Sequence, residues 1–127
     1  MRNIRILMMG VLLTILNILG CAQQKDSTMN VTELKEKIKN NPSLVVLDVR
    51  TPEELQGPLG KIDGVVNIPV QQLEARIGEV EKYKGKEIAV ICRTGHRSGI
   101  AQEILSKHGI KAINVKGGMT EYRNKGY

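Results

Sequence analysis

Ile88-Ala89-Val90-Ile91-Cys92-Arg93-Thr94-Gly95-His96-Arg97-Ser98-Gly99-Ile100-Ala101-Gln102-Glu103-Ile104-Leu105 is the stretch from which the fold is read. Its first four residues are apolar and three are β-branched, as in a strand covered on both faces of a sheet. From Gly99 the apolar residues recur at helical spacing, so a thiol sits where a buried strand ends and a helix begins. The first amides of a helix have no intrahelical partner, and the aligned peptide dipoles add partial positive charge there. A short loop feeding such a helix can curl its amides around an anion. Cys92 lies at the mouth of that loop, with Arg93 and Arg97 following it, an environment that favours its thiolate.

Working outward, Leu44-Val45-Val46-Leu47 is a second buried strand, with Asp48 and Arg50 at its carboxyl end. Ligands of open α/β sheets gather outside the carboxyl ends of strands, so Asp48 and Cys92 are expected on one edge. Val65–Ile68 is a short strand closed by Pro69, and Leu73, Ile77 and Val80 follow at helical spacing. Lys82 to Lys86, with Gly85, is a turn, and Ala112–Val115 is the last strand. The alternation predicts a small doubly wound α/β fold, a mostly parallel sheet with helices on both faces. The order of the strands is not readable from the sequence.

Near the start of the domain, Thr32 is placed to cap a helix carrying Leu34 and Ile38, which Asn40-Asn41-Pro42 stops. Arg50 and Glu53, three apart, are expected to form a structural ion pair. His108-Gly109 suits a helix end, with glycine in the left-handed position and His108 facing the negative end of the dipole. Gly117-Gly118 permits the backbone to turn close to a neighbour.

The spacing Cys92-X4-Arg97, with Gly95 inside and Ser98 after it, resembles the active-site loop of rhodanese-type sulfurtransferases. The resemblance continues in order through Leu47-Asp48-Val49-Arg50-Thr51-Pro52-Glu53-Glu54, Gly64-Val65-Val66-Asn67-Ile68-Pro69 and Val115-Lys116-Gly117-Gly118, covering about residues 28 to 127. It implies a rhodanese-like fold in which Asp48 sits beneath the active loop and accepts hydrogen bonds. An ordinary strand-end carboxylate holding the turn before Pro52 is an equal alternative for Asp48. The resemblance also sets Gly117 and Gly118 at the border of the pocket and Tyr122 where the family often has Trp. One departure is Gly60-Lys61-Ile62, where the family pattern reads Gly-His-Ile; Lys61 in that place is expected to be a solvated side chain.

Arg2 and Arg5 followed by an apolar run from Ile6 to Leu19 have the form of a secretory signal. The ending Ile18-Leu19-Gly20-Cys21 resembles the lipobox of bacterial lipoproteins, which implies lipidation of Cys21. The expected organisation is a lipoprotein signal peptide at 1–20, a lipidated linker at 21–27 and a rhodanese-like domain at 28–127. An uncleaved membrane anchor is the competing reading. Either places the domain outside the cytoplasm, membrane-anchored on the periplasmic or cell-surface side.

Cleavage would leave 17 basic against 13 acidic residues, a net charge of +4, with three Tyr and no Phe or Trp. Such a surface lacks a stacking platform for nucleic acid and suits anionic lipid or small anions. Residues 21–127 suffice for one compact domain. With Cys21 lipidated, Cys92 would be the remaining thiol in an oxidising compartment, and such an unpaired thiol is expected to be reactive.

The chemistry the resemblance implies is covalent sulfur transfer through a Cys92 persulfide, from a small anionic donor such as thiosulfate to cyanide or a thiol, including a protein thiol. The active loop, Arg93, Thr94, Gly95, His96, Arg97 and Ser98, would hold the persulfide charge. Arg93 and Arg97 suit an anionic donor, Arg97 alternatively bracing the loop and Arg93 alternatively facing solvent. His96 either assists proton transfer or points outward. Rival readings are a tethered persulfide carrier or binding module with little turnover, and a phosphatase. Related phosphatases use Cys-X5-Arg, a wider ring than Cys92-X4-Arg97. No cofactor is expected, and two His with one free Cys fall short of a metal site.

Overall fold

The computed structural model describes residues 27–127. Residues 1–26, with the proposed signal segment and Cys21, lie outside the described residues. In chain order the elements are β1 (Thr28–Met29), α1 (Val31–Asn40), β2 (Val45–Asp48), α2 (Pro52–Leu55), β3 (Val66–Asn67) and α3 (Val70–Leu73). They continue as α4 (Gly78–Glu81), β4 (Ile88–Ile91), α5 (His96–Lys107), β5 (Ile113–Val115) and α6 (Gly118–Asn124).

The five strands form one sheet in the order β1-β5-β4-β2-β3, and every pairing is parallel. β4 is central, with Val45 to Asp48 of β2 in register with Ile88 to Ile91. All eight residues of β2 and β4 are buried, as a strand covered on both faces requires. Side chains alternate across the sheet. Val45, Leu47, Ile88 and Val90 pack with Leu73, Val80, Ala101 and Leu105 from α3, α4 and α5. On the other face Val46, Ala89 and Ile91 pack with Leu34 of α1 and with Met119 and Tyr122 of α6. The doubly wound α/β expectation therefore holds.

The same alternation carries Cys92, one residue past β4, onto the α5 face with Val90. The loops that follow β2, β4 and β5 all lie at the carboxyl edge of the sheet, which brings distant segments of sequence to one place.

Two local expectations are corrected, and one strand is added. α1 is capped by Asn30, whose Oδ1 accepts from the Glu33 amide at 2.8 Å, not by Thr32. The Asn30 backbone is extended, as a cap requires, whereas Thr32 is already inside the helix. Arg50 pairs with Asp48 rather than Glu53, because both are folded inward at the strand end while Glu53 is exposed. The sheet also has an edge strand, β1, too short to leave a pattern in the sequence. At the end of α5, Gly109 takes φ of +71°, as expected, and His108 Nε2 lies 2.8 Å from Glu74.

Candidate active site

Cys92 is 1 % exposed and its Sγ lies within the loop that joins β4 to α5. The Gly95 amide donates to it at 3.0 Å, and the Ser98 hydroxyl lies 3.3 Å away. Gly95 can place its amide there because it takes φ of +106°, a conformation open to glycine without strain.

Three of the loop's carbonyls, those of Cys92, Arg93 and Gly95, are held by hydrogen bonds. Met119 and Thr120, in the first turn of α6, donate their amides to the carbonyls of Cys92 and Arg93 at 2.9 and 3.0 Å. The Gly95 carbonyl accepts from the Ser98 hydroxyl, from Asn114 Nδ2 and from the Gly99 amide. With these carbonyls engaged, the amides of Thr94, Gly95 and Ser98 are directed at Sγ, which is the arrangement of an anion nest. α6 comes this close only because of Gly118: a Cβ there would lie 2.5 Å from the carbonyl oxygens of both Cys92 and Arg93. Gly117, at φ of +80°, makes the turn into α6. The glycine pair thus borders the loop.

Burial pushes the Cys92 thiol up, but hydrogen bonding from the Ser98 hydroxyl and from the amides of Ser98, Gly95 and Thr94 outweighs it. The net effect is a thiol more acidic than an ordinary cysteine. The twelve-residue α5, starting four residues after Cys92, points its amino end at the same atom.

Arg97 is braced. Its Nη1 and Nη2 donate to the two carboxylate oxygens of Glu54 at 2.6 and 2.7 Å, a bidentate pair. That pairing, above all, lowers the Glu54 carboxyl to about 2. Glu54 is also the third residue of α2 and closes a capping box with Thr51, so one carboxylate fixes both the start of α2 and the start of α5. Of the two readings weighed for Arg97, bracing is the contact seen.

Asp48 is fully buried at the end of β2. Its Oδ1 accepts from the Arg50 amide and Nε, and its Oδ2 from Arg50 Nη2 at 2.7 Å. Arg50 in turn holds the Gly60 carbonyl at 2.7 Å. The carboxylate therefore holds its own turn and the following loop through Arg50, and among the described residues its hydrogen bonds go to Arg50 rather than to the Cys92 loop. Asn67 Nδ2 fastens the same turn by donating to the carbonyls of Asp48 and Arg50.

Arg93, Thr94 and His96 are exposed at the rim of the ring. A cleft of about 390 Å³ opens beside it, lined by Arg93, Thr120, Arg50, Glu54 and the turn Gly57-Pro58-Leu59. Lys61 is exposed, as expected of a solvated lysine, and its carbonyl accepts from Arg123 Nη2. Sequence reasoning missed Glu54 and Asn114 as parts of the site. Glu54 carried a signal, since Thr51-Pro52-Glu53-Glu54 has the spacing of a capping box; Asn114 in a strand carried none.

An all-parallel α/β domain with a cysteine thiol cradled by loop amides at the carboxyl edge of its sheet defines a class of proteins that carry out chemistry on a cysteine sulfur. The model of the rhodanese-like domain family matches residues 30–125. The chain belongs to that family. It is 37 % identical over 98 residues to a putative sulfur carrier protein, YrkF, of Bacillus subtilis, an alignment covering 76 % of this chain and 51 % of that one. It spans only about half the length of that relative. It is 35 % identical over 75 residues to the thiosulfate sulfurtransferase PspE of Escherichia coli, covering 59 % of this chain and 70 % of that one. The crystal structure of a rhodanese-related protein from Thermoplasma volcanium superposes with a TM-score of 0.70 at 38 % identity, covering 80 % of this chain and 94 % of that one.

Proposed function

We propose that the protein is a sulfurtransferase that carries sulfane sulfur on Cys92. In the first half-reaction the Cys92 thiolate attacks the outer sulfur of thiosulfate or of a persulfide donor. The new S–S bond forms as the donor's own bond breaks, and the electron pair leaves with sulfite or with the donor thiolate. In the second, an acceptor thiolate or cyanide attacks the outer sulfur, and the electron pair of the Cys92 S–S bond returns to Cys92 as thiolate. No net oxidant or reductant is needed.

The observation that carries this reading is the Gly95 amide 3.0 Å from Sγ, inside a ring whose Cys92, Arg93 and Gly95 carbonyls are engaged by other hydrogen bonds. That ring stabilises negative charge on sulfur without reorganising, in thiolate and persulfide alike. Arg93, exposed at the rim, is placed to meet the oxygens of an anionic donor, while Arg97 is occupied by Glu54. His96 is assigned no proton-transfer role, since it is exposed.

We also propose that the domain works outside the cytoplasm, tethered by a lipid on Cys21 after removal of residues 1–20. The sequence Ile18-Leu19-Gly20-Cys21, preceded by a basic head and an apolar run, supports this reading.

A second reading, a persulfide carrier with little turnover of its own, is favoured by the likeness to the putative sulfur carrier protein. Two measurements separate the proposals. Intact-mass analysis after thiosulfate treatment should show one added sulfur atom on the wild type and none on Cys92→Ser; no adduct on fully reduced wild type would sink both. Multiple turnovers with thiosulfate and a small thiol would identify the enzyme, and a single turnover the carrier.

A further inference from the structure

We propose that the end of the domain opposite the Cys92 loop is a docking face for an anionic lipid surface, an inference that rests on the tether proposed above. At that end the strands begin, and the connections leading into them are rich in lysine. Lys37 and Lys39 close α1 ahead of β2, Lys82, Lys84 and Lys86 precede β4, and Lys107 and Lys111 precede β5. Against these seven stand Glu74, Glu81, Glu87 and Glu103, of which Glu87 is already paired with Lys37 and Glu74 with His108. The other six lysines are exposed.

Lysines in the last turn of a helix also complement its dipole, which accounts for Lys37, Lys39 and Lys107 without any partner. It does not account for Lys82, Lys84 and Lys86, which lie in a turn after the four-residue α4. There Tyr83 is half-buried, with the ammonium groups of Lys82 and Lys86 at 5.2 and 5.9 Å from its ring centre. An aromatic with an apolar body and a polar tip, flanked by cations, suits the headgroup level of a membrane. Lys86 also rims a cavity of about 500 Å³, together with Lys107, Lys111, Glu87 and Glu103, over an apolar floor that includes Ile110 and Ala112.

The point where the described chain begins selects lipid as the occupant. Ser27 lines that same cavity, and its carbonyl accepts from the Asn114 amide at 2.9 Å and from Nε2 of the buried Gln102 at 2.7 Å. Gln102 also grips the Ala112 carbonyl at 2.9 Å, so the join is fixed to the lysine-rich end. Five residues separate Cys21 from Ser27. Fully extended they reach about 20 Å, so a lipid on Cys21 holds this end near the bilayer surface. The six exposed lysines of this end are then drawn to anionic headgroups over the last Debye length, about 8–10 Å. In that orientation the Cys92 loop, at the opposite edge of the sheet, faces away from the membrane toward soluble donors and acceptors.

The test uses the lipidated full chain in vesicles of phosphatidylcholine, with or without about 30 % phosphatidylglycerol. Co-sedimentation with both vesicle types scores the tether, independently of orientation. Amine-reactive labelling followed by peptide mass spectrometry scores the docking face. Labelling of Lys84, Lys107 and Lys111 should fall about threefold or more in anionic vesicles and recover in about 0.5 M salt. Lys61, Lys116 and Lys125 should label equally in both. The triple variant Lys84→Glu, Lys107→Glu, Lys111→Glu should lose the protection of Lys82 and Lys86 while keeping wild-type persulfide formation. Equal labelling of Lys84, Lys107 and Lys111 in the two vesicle types, with the chain co-sedimenting, overturns the docking face and leaves the tether standing. Failure to sediment with either vesicle overturns both.

Discussion

The Ser98 hydroxyl has one proton and three acceptors within reach: Asn114 Oδ1 at 2.6 Å, the Gly95 carbonyl at 3.1 Å and Cys92 Sγ at 3.3 Å. While Cys92 is protonated, its S–H can donate to the serine oxygen and the serine proton goes to Asn114. Once the thiol ionises, the serine proton has a charged acceptor and turns toward sulfur, since hydrogen bonds to ions are about twice as strong. Ser98 is therefore a positioning residue whose hydrogen bond follows the charge on sulfur. Removing it leaves burial opposed only by amides, so Ser98→Ala should raise the Cys92 pKa. The rate of alkylation by iodoacetamide at pH about 6.5 should then fall several-fold, and its pH profile should move to higher pH. An unmoved profile would remove Ser98 from the account of thiol acidity.

At the scale of elements, the Glu54–Arg97 pair joins α2 to α5 across 43 residues of sequence. The Glu54 carboxyl is lowered in the folded protein from 4.5 to about 2. A depressed folded value means the pair stabilises the fold fully above the unfolded value, and that the contribution is lost as pH falls from about 4.5 through about 2. Because Glu54 is about a third exposed, solvent screening discounts its contribution to about 1 kcal/mol. Urea unfolding at pH about 6 and about 3 should show Glu54→Gln losing less stability on acidification than wild type. Equal losses in the two proteins would mean the pair contributes nothing.

What was legible in the sequence follows the same division by distance along the chain. The strand, loop and helix around Cys92 are consecutive, so their order alone placed the thiol at an amino end of a helix. Asp48–Arg50 and Glu54–Arg97 were not legible as pairs. Spacing suggested Arg50 with Glu53, but spacing describes partners on one helix, and Arg50 precedes α2 rather than lying on it. Choosing Glu54 for Arg97 requires knowing that β2 and β4 are neighbours, which the sequence left open. Asn114 is hidden for the same reason: only the pairing of β5 with β4 brings its amide group to the Gly95 carbonyl and the Ser98 hydroxyl.

For the whole molecule, stability and reactivity are set by different parts. The sheet is packed on both faces by buried apolar side chains, and that burial supplies most of the folding free energy. The ring around Cys92 is instead held in place by hydrogen bonds from α6, Asn114 and Ser98 and by the Glu54–Arg97 pair. Leu105 tests this separation because it is fully buried on α5, the helix that carries the loop, yet sits nine residues beyond His96. At 1.5 Å per residue that is roughly 13 Å along the helix axis. Leu105→Ala should cost about 2–5 kcal/mol in urea unfolding, through lost burial and the cavity left behind. Under conditions where the variant remains folded, the alkylation rate of Cys92 should stay within about twofold of wild type, since none of the hydrogen bonds that orient the ring involves the Leu105 side chain. A loss of reactivity as large as that of Ser98→Ala would show that core packing, transmitted along α5, sets the geometry of the ring.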